Sequence, residues 1–261
     1  MEKGYFMNHN WLIRYGSDKK RLKESGSFAF TLAEVLITLG IIGIVAAMTI
    51  PTLTRAYKLK ILKTQLNQAY SIVSQSVKML YAQSQLPPNY KNYPNNSFVN
   101  ELKKYLKNGQ ICKTACTKHS DDDYYKSEDY VTLKGDVPAD YSLMDEGQLT
   151  LNNGMLVMIQ NSNLSNYGIM ITVDINGINQ QPNRWGIDLF TFKVMNDSSL
   201  IPMVNPDITY SDTANSYKRA NTYCSLTSNA KQNGIACAFY ALNDKCPWDS
   251  TKGYWECLPK F

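Results

Sequence analysis

The stretch that decides the fold is Gly26–Pro51, GSFAFTLAEVLITLGIIGIVAAMTIP. From Phe30 to Ile50 it holds 21 residues, with Glu34 the only charge and Thr31, Thr38 and Thr49 the only other polar side chains. Wound as a helix at about 1.5 Å per residue, the run reaches about 30 Å, the thickness of a bilayer's hydrocarbon core. The plainest reading is an uncleaved signal anchor. An acid inside such a run is unfavourable, however, and by default marks function. No Lys or Arg within the run is available to pair with it. A partner arises if the chain is cut just before Phe30. The new α-amino group would then lie on the first turn, four residues from Glu34. In an assembly of identical helices each Glu34 would meet a neighbour's amine, so that lipid faces neither charge alone.

The flanks differ in charge. Residues 1–29 carry Lys3, Arg14, Lys19, Lys20, Arg21 and Lys23 against Glu2, Asp18 and Glu24, a surplus of +3 out of the chain's net +5. Positive-inside bias holds that flank in the cytoplasm. The rest is nearly neutral and lacks the dense basic stripe of a nucleic-acid platform, so nucleic acid is not an expected partner. All six cysteines, Cys112, Cys116, Cys224, Cys237, Cys246 and Cys257, follow the apolar run. An even number on the side opposite the basic flank fits oxidation outside the cytoplasm. Many pairings are open to six cysteines; nearest-neighbour closure, 112 with 116, 224 with 237 and 246 with 257, is the expectation. A cleaved secretory signal ending at Val45-Ala46-Ala47 fits less well, because its leader would far exceed the usual length.

The residues AFTLAEVLITLGIIGIVAAMTIP (29–51) resemble the N-terminus of type IV prepilins and of the pseudopilins of type II secretion. That pattern is a basic leader, a small residue, a cut before an aromatic residue or Met, and Glu at the fifth mature position. Ala29, Phe30 and Glu34 occupy those places, with Ala29 standing where the family usually has Gly, and Pro51 falls on the family's proline. The strong resemblance covers residues 27–55 and a weaker one 56–83. It implies cleavage after Ala29 by a membrane-embedded prepilin peptidase and N-methylation of Phe30. It also implies a wait in the inner membrane, single-pass with the C-terminus outside, before an assembly platform adds the subunit to a surface or periplasmic filament. The leader is long at 29 residues, and Met7 is an alternative start.

Beyond Pro51 the periodicity continues at 3–4 spacing through Leu59, Leu62, Leu66, Ala69, Tyr70, Val73, Val77, Leu80 and Tyr81, an amphipathic stripe. A basic group, Arg55, Lys58, Lys60 and Lys63, sits just past the run, and Pro87–Pro88 ends the pattern. One helix over Phe30–Gln83 is expected, kinked at Pro51 because proline has no N–H to donate. The expected organisation is a leader at 1–29, a membrane or filament-core helix at 30–51, its amphipathic outer half at 52–86 and an extracytoplasmic domain at 87–261. The fold class expected is α+β: the long helix packed against three to four antiparallel strands, with disulfide-tied loops. Ser97–Asn108 reads as a short helix capped by Ser97, and residues 110–147 as irregular. Asn153–Gly154 marks a hairpin between two β-prone runs. Further strands are expected around Ile169–Val173 and Ile187–Val194, and residues 196–261 read as loops. The wording VDINGxNxxPNxxGxDxFxF (173–192) is also similar to a stretch common in bacterial pilin-like proteins.

Chemistry is sparse. His9 lies in the leader; His119 follows Cys112 and Cys116, so that with Asp121 a zinc cluster is conceivable, but no second ligand pair stands at zinc spacing. No nucleophile elbow and no phosphate-cradling glycine loop occurs. Asp174, Asn176 and Asn183 supply hard oxygens of the kind calcium takes, though a full calcium-loop spacing is missing and a hairpin turn at Asn176–Gly177 accounts for the same residues. No enzyme activity, cofactor or metal is therefore expected. The expected function is a structural subunit of a type IV pilus or type II secretion pseudopilus. The alternative is a membrane-tethered binding domain, an adhesin or DNA-uptake receptor.

Overall fold

The computed structural model describes residues 30–161, 168–204 and 218–261. The leader, with Ala29 and His9, lies outside the described residues. The chain divides into two compact units at Ile50 and Pro51. The described part of the first is the apolar start of helix α1 (Leu32–Ser84). Its side chains are almost all exposed.

The second unit is α+β and begins with the remainder of α1. Leu59, Leu62, Leu66, Ala69, Val73, Val77 and Leu80 are buried in one stripe, following the helical period. The helix ends at Ser84, where Gln85 takes a left-handed φ of 55° ahead of the two prolines. A short helix α2 (Ser97–Lys103) follows. Ser97 lies inside its first turn and does not cap it: the preceding residue is Asn96, and the buried Ser97 hydroxyl finds no partner among the described residues.

The sheet is larger than three to four strands. Six strands, β1 (Gln110–Ile111), β5 (Gln148–Thr150), β6 (Leu156–Gln160), β7 (Met170–Asp174), β8 (Leu189–Val194) and β9 (Leu200–Pro202), pair antiparallel in the order β1-β5-β6-β7-β8-β9. The two outermost strands are too short to announce themselves by alternation; they exist because the neighbouring strand offers unpaired backbone groups. Asn153–Gly154 lies in the β5–β6 connection, with Gly154 at φ 87°, as its turn chemistry predicts. Asn176–Gly177, by contrast, does not close a tight hairpin. β7 and β8 pair from Asp174↔Leu189 onward, so the chain between them forms a long loop over residues 175–188.

Residues 119–140, expected to be irregular, form a second, three-stranded sheet of β2 (His119–Ser120), β3 (Asp123–Val131) and β4 (Pro138–Asp140). Asp121 and Asp122 are its first turn, which keeps their charge in solvent. Helices α3 (Ala220–Tyr223), α4 (Cys237–Leu242) and α5 (Tyr254–Cys257) put short regular turns into the C-terminal part.

Every residue of β6, β7 and β8 is buried, so the sheet is covered on both faces. Phe190 and Phe192 share one face, where Phe192 meets Tyr70 of α1 (ring centroids 5.5 Å) and Phe190 meets Trp255 of α5 (6.0 Å). On the other, the Thr191 hydroxyl bonds Thr172 (2.9 Å) and accepts the Trp185 indole N–H (3.0 Å). The Tyr70 hydroxyl adds a bond to the Leu200 carbonyl at 2.8 Å, pinning the amphipathic half of α1 to edge strand β9. Leu66, 1% exposed, sits within this helix–sheet core. Leu66→Ala is expected to destabilise the domain by about 2–5 kcal/mol through lost transfer energy and a residual cavity, measured by denaturant unfolding of the detergent-solubilised chain.

Candidate functional site

Two places concentrate polar groups where the surroundings disfavour them. The first is the start of α1. Phe30 is 84% exposed, and Leu32, Leu36, Ile37, Leu39, Ile41, Ile42, Ile44, Val45, Met48 and Ile50 leave a cylinder of bare apolar surface. The segment is long and apolar enough to cross a membrane, and none of its most apolar 18-residue window is buried by the protein. Its threonines satisfy themselves within the helix: Thr38 Oγ1 donates to the Val35 carbonyl (3.0 Å) and Thr49 Oγ1 to Val45 (2.9 Å). That is how hydroxyls are accommodated where no water is available.

Glu34 is held by a reciprocal pair of bonds that the Thr31-x-x-Glu34 spacing encodes. The Thr31 backbone N–H and hydroxyl both donate to Glu34 Oε2 at 2.8 Å, while the Glu34 N–H donates to Thr31 Oγ1 at 3.2 Å. This is a capping box, which satisfies donors that a helix start leaves open. The sequence reading weighed Glu34 only as a charge and overlooked this local role. The second oxygen, Oε1, has no partner among the described residues. Pro51 lies within the continuous α1 and has no N–H for the carbonyl four residues before it.

The second place is the 175–188 loop. Asp174 ends β7 fully buried. Its Oδ1 accepts from the N–H groups of Asn176 (3.2 Å) and Gly177 (2.8 Å), and its Oδ2 from the Tyr130 hydroxyl on β3 (2.8 Å). Asp188, also fully buried, accepts from the N–H groups of Asn183 (2.9 Å) and Arg184 (2.6 Å). The amides of Asn176 and Asn183 donate across the loop to the carbonyls of Gln180 (2.9 Å) and Ile178 (2.8 Å). Their Oδ1 atoms are buried without a hydrogen-bond partner among the described residues. Gly177, at φ 86°, brings its backbone against Gly154, where a Cβ would stand 2.3 Å from the carbonyl oxygen; only glycine fits. Burial pushes the Asp174 carboxyl up to about 6 and, with the charge of Asp174 added, Asp188 to about 7. The sequence reading gave Asp174 and Asn176 a possible calcium role and gave Asp188 none. The loop's backbone N–H groups, Tyr130 and the Asn176 side chain, which favours the ionised form of Asp188, are what these two carboxylates meet among the described residues.

The remaining cysteines and histidine form no reactive centre among the described residues. Cys112 bonds Cys116, Cys224 bonds Cys237 and Cys246 bonds Cys257. The first bridge takes both sulfurs out of the conceivable zinc cluster. His119 packs between Tyr124 and Tyr141 at 4.8 and 5.1 Å, and among the described residues no group of three His, Cys, Asp or Glu is placed to hold a metal. The Gln148 side chain clamps the 112–116 loop, accepting from the Cys116 and Thr117 N–H groups at 2.6 and 3.0 Å. The fold is pilin-like in the generic sense: a long helix, apolar at its start, an antiparallel sheet and disulfide-tied loops. The chain matches no protein-family model, no curated protein and no solved structure.

Proposed function

We propose that this protein is a non-enzymatic structural subunit of a type IV pilus or type II secretion pseudopilus. A prepilin peptidase cuts it between Ala29 and Phe30 and methylates the new amine. The inner-membrane assembly platform then extracts it into a helical fibre made with other pilin or pseudopilin subunits. One observation carries the reading: an apolar helix start left almost wholly bare by the described residues, whose single carboxylate keeps an oxygen with no partner among them. Lipid covers the apolar side chains before assembly and neighbouring helices cover them afterwards, but lipid offers Glu34 Oε1 nothing. The amine of a neighbouring Phe30 does. A contact between unlike faces of identical subunits that does not close into a ring propagates as a filament. The three short-range disulfides suit a domain that ends outside the cytoplasm.

The test is intact mass and N-terminal sequence of protein from membranes and from sheared surface or periplasmic material. The expected chain starts at Phe30 and is about 14 Da heavier than the unmodified sequence from that residue. Starts at Met1 or Met7 throughout would mean a plain anchor, and a start at Met48 a secreted protein; either removes the filament reading.

A further inference from the structure

The basic group that follows the apolar run does more than pack the helix. From Val35 to Asn100 the chain contains no acidic residue, while Arg55, Lys58, Lys60 and Lys63 fall within nine positions. Successive helical residues turn by about 100°, so with Arg55 at zero, Lys63 stands near 80°, Lys60 near 140° and Lys58 near 300°. The four bases therefore spread over about 200° of the helix instead of lining one narrow side, and Tyr57, near 200°, falls in the arc they leave open.

Among the described residues, three of them form no ion pair with a carboxylate. Lys63 is the exception, paired with Asp244 at 2.5 Å. The Arg55 guanidinium donates to the carbonyls of Leu258 (2.6 Å) and Pro259 (3.2 Å), neutral acceptors that fix its position. Lys58 donates to the Gln181 carbonyl at 3.2 Å and lies 4.9 Å from the centre of the Phe261 ring. Among the described residues Lys60 has no ion pair. Aromatic rings stand in the same zone: Phe261, 38% exposed, between Lys58 and Arg55, and Tyr57, 66% exposed, on the side of the helix turned from the domain core. Arg55 is only five residues past Ile50, about 8 Å of helical rise, which is the depth of a headgroup layer.

We propose that Arg55, Lys58, Lys60, Tyr57 and Phe261 form a collar that binds anionic phospholipid headgroups of the leaflet on the side of the folded domain. A protein partner would be met by bases on one face. Bases spread over a wide arc, with the amphipathic aromatics Tyr57 and Phe261 among them, match the broad face of a headgroup layer. The carbonyls of Leu258 and Pro259 and the Phe261 ring hold Arg55 and Lys58 in place, so the end of the folded domain is built into the same surface. The collar keeps the waiting subunit at a fixed depth, and extraction must release it. This inference rests on the membrane-embedded state proposed above.

The test uses the full chain in nanodiscs of phosphatidylcholine doped with spin-labelled phosphatidylglycerol or spin-labelled phosphatidylcholine. The readout is the fraction of label immobilised by the protein. Preference for the anionic label is expected, falling about fivefold for each base removed, in Lys58→Gln and Lys58→Gln/Lys60→Gln, and collapsing in high salt. Arg55 and Lys63 are left intact because they tie the domain together, and an unchanged thermal transition shows that each variant remains folded. Equal immobilisation of both labels, or a preference that survives the double variant, overturns the proposal and leaves the collar to an acidic protein. Failure of the chain to enter discs of any composition is a different result: it removes the membrane-embedded state itself, and the collar with it.

Discussion

Glu34→Ala is expected to leave cleavage after Ala29 intact and to lower recovery in filaments by about tenfold or more, because the amine it would meet is then buried without its counter-charge. The comparison with Glu34→Gln separates the observed role of this residue as a helix cap from its proposed role as a registering charge. As a cap, Glu34 serves through hydrogen bonds to Thr31 at 2.8 Å. Gln presents the same carbonyl oxygen and keeps the capping box, whereas Ala loses a contribution of about 0.5–2 kcal/mol to the helix start. As a registering charge, Glu34 has no substitute, and Gln fails as completely as Ala. The measurement is the ratio of sheared to membrane-bound protein for wild type and both variants, with N-terminal sequencing to confirm processing. Wild-type incorporation of Glu34→Gln would reduce Glu34 to a helix cap and sink the register.

Stability should fall as pH rises from about 4 to about 7, against the usual behaviour of carboxylates. Asp174 and Asp188 hold their protons in the folded chain to about 6 and about 7, while in the unfolded chain they ionise near the ordinary value of about 4. Below pH 4 both states carry the protons and no penalty arises. Between those limits the unfolded chain releases protons that the folded chain retains, so each step upward favours unfolding, and above pH 7 the loss is complete. At roughly 1.4 kcal/mol per pKa unit, each group contributes on the order of 3 kcal/mol. The exposed carboxylates work in the opposite sense: Lys252 and Thr251 hold Asp249 down to about 2, so its share is lost only as pH falls toward that value. The melting temperature is therefore expected to be higher at pH 4.5 than at pH 7.5 by about 10 °C, measured by circular dichroism with a chelator present so that no cation offsets the charges. Asp188→Asn, which cannot ionise but misdirects one amide toward the N–H groups of Asn183 and Arg184, should melt lower at acid pH with a flatter slope. A flat wild-type profile would show that the loop supplies these carboxylates with more compensation than Tyr130, the Asn176 side chain and four backbone N–H groups.

How far the structure was legible depends on the range of the signal. The apolar run, the stripe Leu59–Leu80 and the turn at Gly154 lie in windows of a few to twenty residues, and each corresponds to an observed feature. The Thr31–Glu34 box is equally local, encoded in the three-residue spacing of a hydroxyl and a carboxylate. Asp188 was visible only as one letter of the VDINGxNxxPNxxGxDxFxF wording.

By itself, the sequence determined that a long helix begins bare and apolar, becomes amphipathic past Pro51, and leads into an antiparallel α+β domain whose nearby cysteines can close on one another. Periodicity, turn chemistry and proximity along the chain are properties of short segments and need no partner. Only the tertiary structure decided that Gln110–Ile111 and Leu200–Pro202 complete a six-stranded sheet, and that residues 119–140 make a second one. It also decided that Tyr130 reaches Asp174 across 44 positions and that Arg55 holds the carbonyls of Leu258 and Pro259. Those are pairings between distant groups, each made because a buried donor or acceptor must be satisfied by whatever the fold brings beside it. No local pattern carries that information.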